Sequence, residues 1–279
     1  MGGSARTWRV AAMVCATGLL LNGPVAAQTS GDPNPGAITL TGSMDVSNAY
    51  LFRGIPQDDT GLILWPAADL GLMLKSGSGT VRSITVNVGM WNSLHTGITG
   101  ADGPNGKLWY ESDFWTSVGV GLPGHVNVSA TYTAYTSPNG AFPSVKEVSL
   151  RASSGVRGTN AYALVAFELE GQADGGAVEG RYLELGAAPS LGLGGLTVAV
   201  PVKVGLSLDG YYEGLRGDER FGFFSVGGNV TVPLSSERSR FGRWNVHGGA
   251  DYVRLGDSNA LRLGENYKVI ISAGIGLSY

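Results

Sequence analysis

The sequence predicts an all-β fold, a transmembrane antiparallel up-and-down barrel of about twelve strands that covers residues 37–279. Three observations support this prediction: twelve segments alternate apolar and polar residues, the links between them are alternately long and short, and charge is scarce. The chain has 43% apolar and only 15% charged residues, with 45 glycines, whereas soluble domains carry about 25% charged residues. Alternation without long apolar runs is typical of strands that face lipid on one side.

A cleavable export signal is predicted at the N-terminus. Two arginines precede an apolar stretch at residues 10–21, and small residues follow as far as Ala27. A charged start, a short apolar core and a small-residue site define a secretory signal peptide. We therefore expect a signal peptide over residues 1–27, cleavage near Ala27 and a periplasmic tail over residues 28–36. The single cysteine, Cys15, lies within the predicted signal peptide.

Alternation is clearest in the last of the twelve segments. Val269, Ile271 and Ile275 share one face of an extended chain, while Ser272 and Gly274 share the other, because successive side chains of a strand point to opposite sides. The predicted strands are 38–47, 64–75, 82–92, 108–122, 125–135, 146–153, 162–169, 181–189, 196–209, 222–234, 243–254 and 268–279.

The links between these segments alternate in length. Residues 48–63 and 93–107 form long links, whereas residues 76–81 and 123–124 form short ones. An even number of strands, with long loops at one end and short turns at the other, is the arrangement of bacterial outer-membrane barrels. We expect a Gram-negative outer-membrane location, with the long loops outside the cell and both termini in the periplasm. Pro201 should interrupt its ladder, because proline donates no backbone hydrogen bond.

The chain ends on an aromatic residue, Tyr279, at the outward face and predicted periplasmic rim of the last strand, and Trp244 has a similar position. Aromatic rings of this kind belong at membrane interfaces. A terminal aromatic after an alternating strand resembles the signal that outer-membrane assembly machinery reads. Membrane lipid and that machinery are therefore the expected partners. A net charge of −3 provides no basic surface for nucleic acid.

The end of the first strand resembles a known family. Residues 46–55, VSNAYLFRGI, are similar to the V-S-x-Y-x-F-R-G-I motif of Gcw_chp-type conserved hypothetical outer-membrane proteins of proteobacteria. The matching residues are Tyr50, Phe52, Arg53 and Gly54, with one extra residue before the tyrosine. The resemblance covers only this short segment. It implies an outer-membrane barrel and no particular activity, since that family has no established one.

In each predicted strand, the residues that alternate with the outward-facing ones should point into the barrel and line the lumen. These candidates are mostly acidic, and a low-dielectric wall around them would focus their field on cations. They are Asp45, Asp69, Glu111, Asp113, Glu147, Arg151, Glu184, Lys203 and Asp251. Glu168 and Asp209 share the same parity. A weak cation preference is one hypothesis, and the alternative is that the carboxylates pair with basic residues in a plugged interior.

Acid–base chemistry has weak support. Glu111 and Asp113 lie two apart on one strand face, which suits a catalytic carboxylate pair but equally any polar barrel wall. Ser93 and His95 form a nearby Ser/His pair, with His95 expected in a surface loop and no acidic or amide partner placed to orient it. We therefore predict no catalytic residue, metal site or cofactor, and no enzyme.

Two tryptophans near strand starts can face either way. Trp65 and Trp109 have inward parity, but a one-residue bulge would turn such a ring outward into the aromatic girdle at the membrane interface. We expect the girdle position for both.

Three functions stay open from the sequence. The first is a narrow, porin-like channel for small solutes with a cation preference, since twelve strands leave a narrow lumen. The second is a non-conducting barrel with a structural or surface-interaction role, in which large inner residues close the lumen. The third and least favoured is a barrel-embedded lipid-modifying enzyme.

Overall fold

The computed structural model describes residues 36–156, 158–215, 217–234 and 242–279. The predicted signal peptide, its cleavage site near Ala27 and the predicted tail up to residue 35 lie outside these residues. The barrel strands are β1 Ile38–Ser47, β2 Ile63–Ser76, β3 Ser83–His95, β4 Trp109–Leu122, β5 Val126–Thr136, β6 Val145–Val156, β7 Thr159–Glu170, β8 Arg181–Leu193, β9 Leu196–Ala199 with Val202–Asp209, β10 Phe221–Pro233, β11 Arg243–Leu255 and β12 Tyr267–Ser278.

The twelve strands form a closed barrel. Each strand pairs antiparallel with the next one along the chain, and β12 pairs with β1. At this seam Thr41 lies opposite Ser278, and Leu40 and Tyr279 exchange two backbone hydrogen bonds of 3.0 and 2.7 Å. Among the described residues, closure leaves the barrel sheet without an edge strand. The predicted strand number and up-and-down order are confirmed.

The outward face of the barrel is apolar. On β12 the side chains of Val269, Ile271 and Ile275 are 42%, 58% and 38% exposed. Outward positions of other strands carry similarly exposed residues, such as Leu72 on β2 and Val118 on β4. Soluble proteins expose large apolar side chains singly, whereas these form a band around the barrel.

The connections differ at the two ends of the barrel. Long loops at residues 48–62, 96–108 and 256–266 lie at one end, called the loop end here, and short connections lie at the other, called the turn end. Between β8 and β9, Gly194 and Gly195 have φ values of 56° and 98°. A two-residue hairpin turn with two positive φ angles accommodates glycine at little cost.

Strand β9 is interrupted at Val200 and Pro201, between Leu196–Ala199 and Val202–Asp209. Pro201 still accepts a bond at its carbonyl from the amide of Gly227, 2.9 Å away. The predicted ladder defect at this proline is confirmed, and its cause is the missing N–H.

The 256–266 loop contains the short helix α1, Asp257–Leu263, which ends at Gly264 with a φ of 79°. The buried Ala260 of α1 joins the apolar cluster at the loop end of the barrel. Among the described residues, no helix has the length and apolarity needed to cross a membrane.

Candidate functional site

The loop after β1 folds into the barrel as a hairpin. Tyr50–Phe52 pairs antiparallel with Ile55–Asp58, and Arg53 and Gly54 form the turn. We call residues 50–58 the inner hairpin. Its turn residues have φ values of 50° at Arg53 and 84° at Gly54. Asn-Gly is the usual sequence of such a turn, and a left-handed backbone at a residue such as arginine costs about 1–2 kcal/mol.

The Arg53 guanidinium fastens the tip of the inner hairpin to the barrel wall. Its Nη1 and Nη2 donate to the two carboxylate oxygens of Glu147 on β6, at 2.6 and 2.8 Å, and Nη1 also donates to the Tyr211 hydroxyl at 2.8 Å. The Arg53 Cζ lies 4.4 Å from the ring centroid of Tyr182. The Tyr212 hydroxyl donates to the Arg53 carbonyl at 2.8 Å. The side chains of Arg53 and Glu147 are 11% and 2% exposed.

The two faces of the inner hairpin pack against different parts of the wall. Tyr50 contacts Trp65 and Trp91, with ring centroids 5.7 and 5.3 Å apart. Leu51 and Ile55 belong to another apolar cluster, together with buried aromatic side chains of β8, β10 and the 210–220 loop. Burying an apolar side chain contributes about 1.5–3 kcal/mol, so these contacts hold the hairpin in addition to the ion pair.

The structure places all nine predicted lumen residues on the inner side of the wall, and most of them have specific partners. Glu184 accepts hydrogen bonds of 2.5 Å from both Tyr162 and Tyr182. The Arg151 Cζ lies 3.6 Å from the ring centroid of Tyr162. These contacts make a polar and aromatic network around the tip of the inner hairpin rather than a row of free charges.

Four more of the predicted lumen residues lie on the inner side of the wall in the same way. Asp45 Oδ1 lies 2.6 Å from His247 Nε2. Asp69 accepts bonds from Asn87 and Trp115, at 2.6 and 3.0 Å. Lys203 and Asp251 line one cavity below the inner hairpin.

Glu111 and Asp113 are buried beside the inner hairpin. The Asp113 side chain lies close to those of Glu111 and Glu147, and its Oδ1 has no hydrogen-bond partner. Glu168 is also buried and accepts backbone bonds of 2.6 Å from Ala173 and Gly180. The hairpin tip therefore lies among several inward carboxylates.

Asp209 is not a lumen residue, contrary to its predicted parity. Its side chain is 66% exposed and forms an ion pair of 3.4 Å with Arg181. A register shift between Arg181 and Tyr182 changes the parity at this end of the β8–β9 ladder.

The interior differs between the two halves of the barrel. The loop-end half is filled by the inner hairpin and its aromatic contacts. Towards the turn end, small residues occupy many inward positions, among them Asn87, Ser117, Gly119, Ser129, Gly274 and Gly276. Two cavities of about 20 Å³ each border Arg53, and each has room for about one water. The inner hairpin thus occupies the interior of the barrel at the loop end.

The two tryptophans differ in their direction. Trp65 is buried in the interior and donates to Ser93 Oγ at 3.0 Å, so the girdle position predicted for it is wrong. At the start of β4 a bulge leaves Tyr110 unpaired and turns Trp109 outward, where it is 47% exposed and donates to Asn92 at 3.1 Å. The bulge that would turn the ring outward is present only at Trp109.

A chain of hydrogen bonds joins Trp65 to Asp58 through Ser93, His95 and Thr99. Ser93 Oγ lies 2.6 Å from His95 Nε2, His95 Nδ1 lies 2.6 Å from Thr99 Oγ1, and Thr99 Oγ1 donates to Asp58. Since Thr99 donates to Asp58, it accepts from Nδ1, and Nε2 accepts from Ser93. Every donor in the chain then has one acceptor.

This chain corrects two predictions. His95 is the last residue of β3 rather than a loop residue, and it does have an acidic partner, since Asp58 Oδ2 lies 3.4 Å from its Nδ1. The partner was missed because it comes from the inner hairpin, far away in sequence. Ser93 and His95 are 0% exposed, and the hydrogen bonds of this arrangement link the inner hairpin to the 96–108 loop.

Asp58 is the charged end of this chain. Burial alone would raise the pKa of its carboxyl group, but hydrogen bonds from Thr60 and Thr99 stabilise the carboxylate and hold the pKa below its ordinary value. The Thr60 amide and hydroxyl donate to Oδ1 at 2.8 and 2.6 Å. Asp58 is therefore ionised at neutral pH.

The loops at residues 171–180, 210–220 and 256–266 are linked by hydrogen bonds and an ion pair at the loop end of the barrel. Asp174 accepts backbone bonds from Glu213 and Gly176, at 2.7 and 2.8 Å, and Arg262 of α1 lies 3.6 Å from its carboxylate. Burial raises the pKa of the Asp174 carboxyl group above its ordinary value. This linkage holds the loops over the cluster that packs on the inner hairpin.

No protein-family model and no curated protein sequence matches the chain. Among solved structures, the outer-membrane phospholipase of Salmonella typhi is similar with a TM-score of 0.49 at 8% identity, covering 85% of this chain and 90% of that one. The translocator domain of autotransporter NalP from Neisseria meningitidis has a TM-score of 0.44 at 12% identity, covering 89% and 90%. The porin NanC has a TM-score of 0.40 at 9% identity, covering 86% and 99%. Similarity at this level concerns the barrel architecture alone. The barrel of this chain is established by its own strand pairing.

Proposed function

We propose that this protein is an outer-membrane barrel that forms a narrow, normally closed channel for small cationic solutes, with the inner hairpin as its gate. The observation that carries the proposal is the bidentate ion pair between Arg53 and Glu147 across the interior. The apolar outward band suits lipid, and the inward carboxylates favour cations.

Conductance in planar bilayers tests the channel. Wild-type protein should show rare, brief openings, whereas a variant with residues 51–57 replaced by a short Gly-Ser linker should give sustained discrete steps. Far-UV circular dichroism and heat-dependent gel mobility establish that the variant barrel is folded. A folded variant without steps would favour the non-conducting structural or surface-interaction barrel. In a salt gradient, a reversal potential that favours anions would rule out the cation preference.

The proposed location is the outer membrane, with the long loops outside, the termini in the periplasm, export by the N-terminal signal and assembly directed by the strand that ends in Tyr279. Removal of Tyr279 should lower the amount of folded barrel in outer-membrane fractions, and Tyr279→Phe should retain it. Equal amounts in the two variants would argue against recognition of the terminal ring. The relationship to Gcw_chp-type proteins stays a prediction.

We further propose that the protein is not a lipid-modifying enzyme, because the one Ser/His arrangement described above is enclosed. Fatty-acid release from phospholipid vesicles by the purified protein is the measurement. Release that disappears in Ser93→Ala, with the barrel still folded, would contradict this proposal and would make Ser93 a nucleophile.

A further inference from the structure

The surroundings of the Arg53 side chain are those of a binding site for a guanidinium group. Glu147 accepts two parallel hydrogen bonds from it, the Tyr211 hydroxyl accepts another, and the Tyr182 ring lies under its plane. A planar guanidinium uses a bidentate carboxylate and an aromatic face together, whereas an ammonium behaves as a point charge. The site is thus matched to the group that occupies it.

The backbone indicates that this occupant is held at a conformational cost. Arg53 is one of two described non-glycine residues with positive φ, and Gly54 beside it is also left-handed. A residue with a short side chain, such as asparagine, would form this turn more easily. Strained backbone of this kind concentrates at ligand clamps and switches, so an arginine at the tip points to a role for the guanidinium itself.

The site also has more buried carboxyl groups than one guanidinium contacts. Asp113 lies close to Glu111 and to Glu147, all three are buried, and Asp113 Oδ1 has no hydrogen-bond partner. An unpartnered buried carboxylate oxygen is costly unless a cation or donor approaches it. If the inner hairpin withdrew, Glu147 would lose its cation and would face the barrel interior beside these carboxyl groups.

We propose that the Arg53 site is a binding site for a soluble guanidinium-bearing solute, and that Arg53 is its intramolecular occupant in the closed channel. This inference rests on the proposed function. A solute arriving through the turn-end half competes with Arg53 for Glu147 and Tyr182, and its binding favours the withdrawn inner hairpin. Because Arg53 is tethered, it acts at an effective concentration of about millimolar or more, so the solute binds more weakly to the wild type than to a variant without the arginine side chain.

The experiment uses ethylguanidinium as the probe and ethylammonium as the matched control. In folded Arg53→Ala barrels, ethylguanidinium should raise the thermal unfolding midpoint with half-saturation in the millimolar range. Ethylammonium should require at least a tenfold higher concentration, because it lacks the fork that both Glu147 oxygens contact. Adding Glu147→Gln to Arg53→Ala should remove the effect, while adding the exposed Glu170→Gln should leave it.

The wild type supplies a second measurement that needs no variant. Its open probability in planar bilayers should rise severalfold with millimolar ethylguanidinium and stay constant with ethylammonium. Equal effects of the two cations, or stabilisation of Arg53→Ala that Glu147→Gln leaves unchanged, would overturn the inference. If the Gly-Ser variant conducts but no guanidinium preference is found, the channel proposal stands and the guanidinium site is rejected. If ethylguanidinium stabilises the protein selectively but no variant conducts, the guanidinium site stands and the channel proposal is rejected.

Discussion

Replacing Glu147 with glutamine removes the carboxylate that both terminal nitrogens of Arg53 contact. The amide oxygen can still accept one bond, but the guanidinium loses its counterion while its side chain remains 11% exposed. Breaking a buried ion pair by removing one partner costs about 3–5 kcal/mol, and the lower end applies because the guanidinium keeps its contacts with the Tyr211 hydroxyl and the Tyr182 ring. The closed arrangement should therefore lose about 3 kcal/mol relative to the open one.

A change of about 1.4 kcal/mol corresponds to a factor of ten, so the open probability of Glu147→Gln should exceed that of the wild type by about a hundredfold. Single-channel recording in planar bilayers measures this ratio. Glu170→Gln is the matched control, since the 2.5 Å contact between Lys146 and Glu170 has side chains that are 40% and 63% exposed. Exposed pairs contribute little, so this control should behave as wild type. An open probability of Glu147→Gln within a factor of about three of the wild type would refute the role of the ion pair in closure.

Three further predictions concern the inner hairpin and its links. Gly54→Ala should raise conductance, because the new Cβ would lie 2.8 Å from Phe223 Cβ. Gly140 has a similar φ of 74° and no atom within 4 Å of a new Cβ, so Gly140→Ala should leave conductance unchanged. Thr99→Val should cost about 1–3 kcal/mol by leaving both neighbours in the hydrogen-bond chain without their partner, seen as lost hydrogen-exchange protection in the 96–108 loop; unchanged protection would contradict it. Because the pKa of Asp58 is lowered in the folded protein, its stabilising effect is present above the ordinary Asp pKa of about 3.9 and is lost as pH falls through the lowered value. Protease resistance of the loops should thus fall in acid, and Asp58→Asn should show low resistance at every pH; a wild-type profile in that variant would disprove the linkage.

Much of the barrel could be predicted from local sequence. The alternation in β12 indicates a strand, and the glycine pair at 194–195 indicates a tight turn. Both signals lie within a few residues, because strand period and turn geometry are local properties. The interruption of β9 follows from the missing amide of Pro201. In an up-and-down barrel each strand pairs with its neighbour in sequence, so the order of strands also follows once they are recognised.

Single-residue bulges could not be predicted in the same way. Trp65 and Trp109 have the same parity and similar positions near strand starts, yet only the ladder of β4 contains the extra residue that turns the ring outward. Whether a bulge forms depends on how the neighbouring strand packs. The inward direction of Trp65 likewise depends on the space beside Tyr50, which comes from a different segment.

The sequence by itself determined the fold class, the strand order and the inward direction of the nine lumen candidates, since all of these depend on local periodicity. Only the tertiary structure decided what those inward residues do. Arg53 and Gly54 are recognisable in the sequence as part of a motif, but the turn that they form inside the barrel depends on contacts with Glu147, Tyr182 and Tyr211 on distant strands and loops. The partner of His95 depends on the same folding of the inner hairpin. Side-chain partners across a closed barrel are long-range contacts, and one chain without its three-dimensional arrangement contains no local signal for them.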